Sequence, residues 1–292
     1  MKRHLLLSIA SILTLSVPVY GQNLFEADSG SGTINIFTPG GVQSTFASGL
    51  NEPTGLAFNG AGNLFQADYG SGNIYEYTRG GVRSTFASGL NAPAGLAFNG
   101  TGNLFAADYH SGNIYEFTTG GAQTTFASGL AEPNELAFNS TGNLFVTDSS
   151  SGNIYEYTLG GVRSTFASGL ANPAGLAFNS AGDLFEADLN GGNIYEFTPG
   201  GTRSTFASGL NAPAGLAFDS AGNLYVTAYN AGLVGGYGSG SIYKFTPGGA
   251  QSTFASGLSY PDGVAFQPVP EPSTWVMLVM GSLALLGMRR KT

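Results

Sequence analysis

The side chains of this chain best equipped for chemistry stand where a 40-residue repeat departs from its own pattern. Each of six copies carries a segment of the form Pro-x-Gly-Leu-Ala-Phe or a close variant, and x is in turn Thr54, Ala94, Asn134, Ala174, Ala214 and Asp262. The alanines offer no chemistry. Asn134 and Asp262 are oxygen donors three copies apart, which in a closed ring places them on opposite walls. Two oxygens so separated fall short of the six to eight that a cation such as calcium gathers. Other departures flank the same position. Glu135 replaces the glycine of every other copy, Glu52 and Glu132 precede the proline in theirs, and Tyr260 holds that place in the last. An eight-residue insertion in the final copy brings Tyr229 and Tyr237. Aromatic rings beside carboxylates, amides and hydroxyls can stack on a sugar and hydrogen-bond its hydroxyl groups. Thr54, Asn134, Glu135, Tyr229, Tyr237, Tyr260 and Asp262 are therefore the candidate binding rim.

Other chemistries find no residue set. Asp28, Asp68, Asp108, Asp148 and Asp188 recur at one register position. A run such as Asp68-Tyr-Gly-Ser-Gly-Asn73 lacks the further carboxylates of a calcium loop. These aspartates are expected to accept hydrogen bonds from backbone N–H groups of the following turn. His110 has no serine–carboxylate set around it, so Ser-His-Asp catalysis is not expected. Cysteine is absent, which removes thiol chemistry and disulfides. The net charge is −8, and Lys2, Arg3, Arg289, Arg290 and Lys291 make up half of the ten basic residues. A body this acidic has no footprint for nucleic acid. No cofactor and no catalytic residue are expected, a divalent cation such as calcium at Asn134 and Asp262 being the alternative.

The repeat itself supplies the positioning elements. One copy reads Asn103–Asp108, Gly112–Thr118, Thr125–Leu130 and Pro133–Phe138, four short aromatic and aliphatic segments parted by turn residues. Their length and composition predict strands, with no helical period. Four strands per 40 residues make a propeller blade. The array opens at Asn23 with the second segment of a copy and closes at Pro261–Phe266 with the first. Those ends must share a sheet. The prediction is an all-β, six-bladed β-propeller of four-stranded blades over 22–267, closed by a one-plus-three strand arrangement. A β-solenoid would have shorter coils and capped ends, and would leave the offset unexplained. Small residues such as Ala94-Gly95 suit a crowded axis, and Phe98, Phe105 and Tyr115 are expected to fill the space between blades. The combination "PxGLAF…GNLFxAD…GNIYEFT" resembles the NHL repeat and its six-bladed relatives, the gluconolactonase/senescence-marker family among them. That family holds a divalent cation with Glu, Asn and Asp to polarise a lactone carbonyl. Pro261-Asp-Gly263 and Pro133-Asn134 are similar to two of its motifs, while the glutamate-bearing motif has no counterpart here. The resemblance implies a metal-dependent lactonase as the alternative function.

Both ends read as addresses. Lys2 and Arg3, the apolar run Leu5–Val19 and the small-residue site at Val19-Tyr-Gly21 predict a signal peptide over 1–21 and Sec-dependent export. At the other end Pro270-Glu271-Pro272 precedes the apolar run Trp275–Met288 and the basic end Arg289-Arg290-Lys291. This segment, 268–292, resembles the PEP-CTERM sorting signal of Gram-negative bacteria that make exopolysaccharide. The resemblance implies processing by an exosortase, a membrane enzyme that removes the tail. The apolar run is short of the ~20 residues of a lasting span, which fits transient membrane anchoring. Its basic end would stay in the cytoplasm. The expected protein is an exported surface or matrix component whose propeller binds exopolysaccharide or other surface proteins.

Overall fold

The computed structural model describes residues 22–229 and 239–268. The signal peptide, the sorting segment with Pro270, Glu271, Pro272, Arg289 and Arg290, and the inserted Tyr237 lie outside the described residues. Within them the chain forms twenty-four strands in six four-stranded antiparallel sheets. Blade 2 covers 53–87, blade 3 93–127, blade 4 133–167, blade 5 173–208 and blade 6 213–259.

Blade 1 is the composite one. The last strand, Pro261–Phe266, pairs antiparallel with the first, Leu24–Asp28, in the register Leu24↔Phe266 and Phe25↔Ala265. Thr33–Phe37 and Gln43–Ser48 complete that sheet. Gln267 N–H donates to the Asn23 carbonyl at 2.9 Å, locking the two chain ends together. The six inner strands each pack against two neighbours, so that Pro261–Phe266 lies between Pro213–Phe218 and Pro53–Phe58. The ring is closed, as the phase offset predicted, and each sheet ends in an inner strand packed around the axis and an outer strand at the rim. Glycine is what allows the inner strands to come so close. A Cβ on Gly55 would strike the Ala94 carbonyl, and one on Gly263 the Thr54 carbonyl.

Alternation along each strand then builds the joints between blades. Leu24 packs toward blade 6, with Tyr225, Ile242 and Leu258, while the adjacent Phe25 packs toward blade 2, with Leu56, Leu64 and Tyr77. The second strand is thus buried on both faces. At each joint one ring meets two others edge-on: Phe25 lies 5.0 Å from Phe46 and 5.1 Å from Phe58, and Phe145 repeats this with Phe166 and Phe178. Such pairs contribute roughly 0.5–1.5 kcal/mol each beyond their burial. The strand aromatics are core, as expected.

Two faces result. The upper face carries the loops that lead into the inner strands and those linking second to third strands. The lower face carries the remaining turns and both chain ends, Asn23 and Gln267.

Candidate functional site: the upper rim

The recurring aspartate organises the upper face. Ser31, Ser151 and Gly191 N–H groups in the following turns donate to Asp28, Asp148 and Asp188. The same carboxylates also hold the loop entering the inner strand. Asn51 N–H donates to Asp68 at 2.9 Å, Ala131 and Glu132 to Asp148 at 2.8 and 3.0 Å, and Ser259 to Asp28 at 2.8 Å. One short side chain thus fixes two loops of each of these blades. Blade 6 has Ala228 at this position.

The residue after it decides whether a joint is filled. It is Ser29, Tyr69, Tyr109, Ser149, Leu189 and Tyr229 around the ring. A tyrosine here reaches the next blade. Tyr109 donates its hydroxyl to Glu132 at 2.8 Å, and Tyr69 comes within 3.1 Å of His110 Nε2 with its ring 5.9 Å from that of Tyr109. Tyr229 packs its ring 5.7 Å from Tyr260 and hydrogen-bonds the Asp262 carboxylate. Blade 1 has no such arm. Ser29 turns its hydroxyl back to the Tyr260 carbonyl at 3.0 Å. A recess of about 350 Å³ opens there between blades 1 and 2, lined by Ser29, Glu52, Thr54, Tyr69, Tyr260 and Asp262. Its two shoulders, Glu52 and Tyr260, hold left-handed backbone at φ 56° and 58°. That conformation costs roughly 1–2 kcal/mol outside glycine. Joint 4|5, which also begins from a serine, presents Asn172, Ala174 and Leu189 in place of Glu52, Thr54 and Tyr69.

Buried carboxyl groups collect on the channel side. Burial pushes the Asp262 carboxyl up to about 6, and the Tyr229 hydroxyl restrains the rise. Burial also pushes Glu135 up to about 8; the Leu136 N–H, 3.0 Å from its Oε1, opposes this and the Asp262 charge adds to it. Glu26 reaches about 8 for the same leading reason, with Asn35 donating to it at 2.9 Å and Asp28 and Asp262 repelling it. Glu26 and Glu135 therefore each sense the Asp262 charge, and Asp262 also belongs to the recess.

The structure brings Thr54, Tyr260 and Asp262 together at the recess, with Tyr229 on the far side of Tyr260. Thr54 is held by its hydroxyl, which lies 3.2 Å from the carbonyls of Ala67 and Pro93. Asn134 and Glu135 lie on the inner strand opposite, away from the recess, and Glu135 folds over Gly95 of blade 3. Tyr69 and Ser29 were missed in the sequence because they follow a conserved-looking aspartate in a turn. Aligning the six copies at that one position shows three tyrosines, two serines and a leucine, the pattern that marks where an interblade ring is missing. A divalent-cation centre does not fit these residues. Among the described residues no three carboxylate or imidazole groups converge on one point, and the Asp262 carboxylate is engaged by a phenol.

Residues 268–291 match the PEP-CTERM protein-sorting motif. The chain is a six-bladed propeller that carries a PEP-CTERM tag. The tag implies export, sorting to the cell surface and processing by an exosortase. Solved structures similar to the tagged propeller share its fold at low identity. A chain of a nidogen–laminin complex is 20% identical, with a TM-score of 0.74 over 85% of this chain and 99% of that one. A streptogramin B lyase is 16% identical, with a TM-score of 0.66 over 87% and 92%. A gluconolactonase from Xanthomonas campestris is 16% identical, with a TM-score of 0.65 over 83% and 87%. Binding and catalysis both occur on this scaffold, so the likeness establishes fold alone. No curated protein matches the chain in sequence.

Proposed function

We propose that the PEP-CTERM propeller is a surface-sorted binding module that grips extracellular glycan, the exopolysaccharide of its own cell, in the recess between blades 1 and 2. The carrying observation is Ser29, which stands where three other blades have an interblade tyrosine and so leaves an opening walled by Tyr69, Tyr260, Glu52 and Asp262. Rings supply flat apolar faces for the C–H side of a sugar, and the carboxylates accept its hydroxyl protons. A volume of about 350 Å³ has room for one or two sugar units of a chain rather than a whole globular partner. Sec-dependent export and residence in the outer envelope or matrix complete this reading.

The test uses residues 22–268, which complete all six sheets on their own. Exopolysaccharide purified from the producing cells should bind this propeller, and Tyr69→Ala should weaken binding about tenfold. Unchanged affinity in that variant, or no binding at all, overturns the reading. The rival function, a metal-dependent lactonase acting through Asp262 and Asn134, predicts aldonolactone opening that requires a divalent ion and vanishes in Asp262→Ala.

A further inference from the structure

We infer that the lower face of the propeller is a lipid-contacting surface, which seats the domain on the bilayer while the sorting tail is still attached. The inference is independent of the recess and rests on three observations. First, every large apolar side chain that is strongly exposed among the described residues sits on this one face. Val42, Val82, Leu159 and Val162 are 67–77% exposed and occupy the turns between third and outer strands of blades 1, 2 and 4. Second, the chain leaves the propeller from the same face. Gln267 is tied to Asn23 there and lines a lower-face groove with Arg79. The spacer 268–274, fully extended, then reaches at most about 25 Å before the apolar run Trp275–Met288 begins. With the tail in a membrane, this face is the one held nearest to it.

Third, the charges are polarised. Arg79, Arg83, Arg163, Arg203 and Lys244 are all the lysines and arginines among those described, and each lies at the lower end of its blade. Glu76, Glu116 and Glu156 share that end, but each accepts a hydrogen bond from Asn63, Asn103 or Asn143 at 2.7–2.8 Å; Glu196, Asp183 and Asp219 complete the acidic set. The upper rim presents Glu52, Glu132 and Asp262 without a cation. Six carboxylates against five cations leave the lower face near neutral while the upper rim is acidic throughout, so anionic headgroups are repelled by the upper face alone. Apolar tips interspersed with cations describe a surface that settles into the headgroup boundary. A consequence is that the recess points away from the membrane.

The experiment measures partition of residues 22–268 into protein-free vesicles of phosphatidylglycerol and phosphatidylethanolamine. The propeller should bind at low ionic strength. A variant combining Val42→Ser, Val82→Ser, Leu159→Ser and Val162→Ser, its folding checked by its melting curve, should partition at least tenfold less. The single tryptophan of the chain, Trp275, is outside this fragment. A tryptophan introduced by Val162→Trp should shift its emission to the blue on vesicles, while one from Leu189→Trp on the upper face should not. Absent partition, equal partition of the fourfold variant, or a blue shift at 189 alone overturns the inference. So does binding to native membranes but not to protein-free vesicles, which would make the partner a protein.

Discussion

Joints 6|1 and 1|2 share the composite blade, yet one is closed and the other open. At 6|1, Tyr229 lies against Tyr260 and holds the Asp262 carboxylate. At 1|2, Ser29 occupies the same register position and the space stays empty of side chain. Backbone geometry does not separate them: Ser29 N–H donates to Tyr260 O at 3.1 Å just as Tyr229 N–H donates to Ala212 O at 3.1 Å. The two joints differ in the side chain at this position and in their walls, Glu52 and Thr54 at 1|2 against Tyr260 and Asp262 at 6|1. In a duplicated scaffold the packing rules are common property, and a site arises by removing a filler as readily as by adding a ligand.

The strongest way to break the contrast is to rebuild the missing arm. Ser29→Tyr should close joint 1|2 as Tyr229 closes 6|1, lowering glycan affinity about a hundredfold or more by occupying the recess. The melting temperature should hold or rise, because the new ring finds a wall ready at Tyr69. Titration calorimetry with the purified polysaccharide reads the first effect. Retained affinity would move the site elsewhere.

A second contrast lies deeper. Glu26 and Glu186 hold one register position in different blades, both fully buried. Blade 1 answers its glutamate with Asn35, whereas blade 5 has Tyr195 across from Glu186, and neither carboxyl oxygen of Glu186 finds a partner. Blades 4 and 6 hold Val146 and Val226 there. Glu186→Val should stabilise the propeller by about 1–3 kcal/mol at neutral pH. Burial holds the Glu186 pKa well above its ordinary value. Such a group favours folding fully below its unfolded pKa near ~4.3, and that contribution is lost as pH climbs toward the folded pKa. Glu26 and Glu135, at about 8, set the same window. The protein should melt at a lower temperature at pH 8 than at pH 5, and Glu186→Val should flatten that slope.

The sequence was legible where it repeated itself. Phase offset alone implied that Pro261–Phe266 and Leu24–Asp28 share a sheet, because it leaves three strands over at the start and one at the end. It was less legible where a single copy differed. Thr54, Tyr260 and Asp262 stood out as departures next to the proline, and the structure gathers them. Asn134 and Glu135 stood out equally, yet they lie across the ring, because residues in one sequence register are spread around an axis. Ser29 carried no visible chemistry, since its contribution is the volume it leaves. The aspartates were assigned to the turn that follows them. Their second bond, to the preceding loop, depends on loop ends brought together only by the sheet.

The smallest expected effect sharpens the first contrast through its shared residue. Asp262 faces the recess on one side and takes the Tyr229 hydroxyl on the other, and that bond lowers its carboxyl from where burial alone would put it. An ionised Asp262 accepts sugar hydroxyl protons and a protonated one does so less well, so glycan affinity should rise as pH passes about 6. Tyr229→Phe removes the hydroxyl while leaving the ring against Tyr260. The folded pKa of Asp262 then moves up, and the affinity profile should shift toward higher pH by about half to one unit, for the loss of one hydrogen bond worth about 1 kcal/mol. Affinity above pH 8 should be nearly that of the wild type. A profile unmoved by the substitution would mean that the closed joint does not tune the open one.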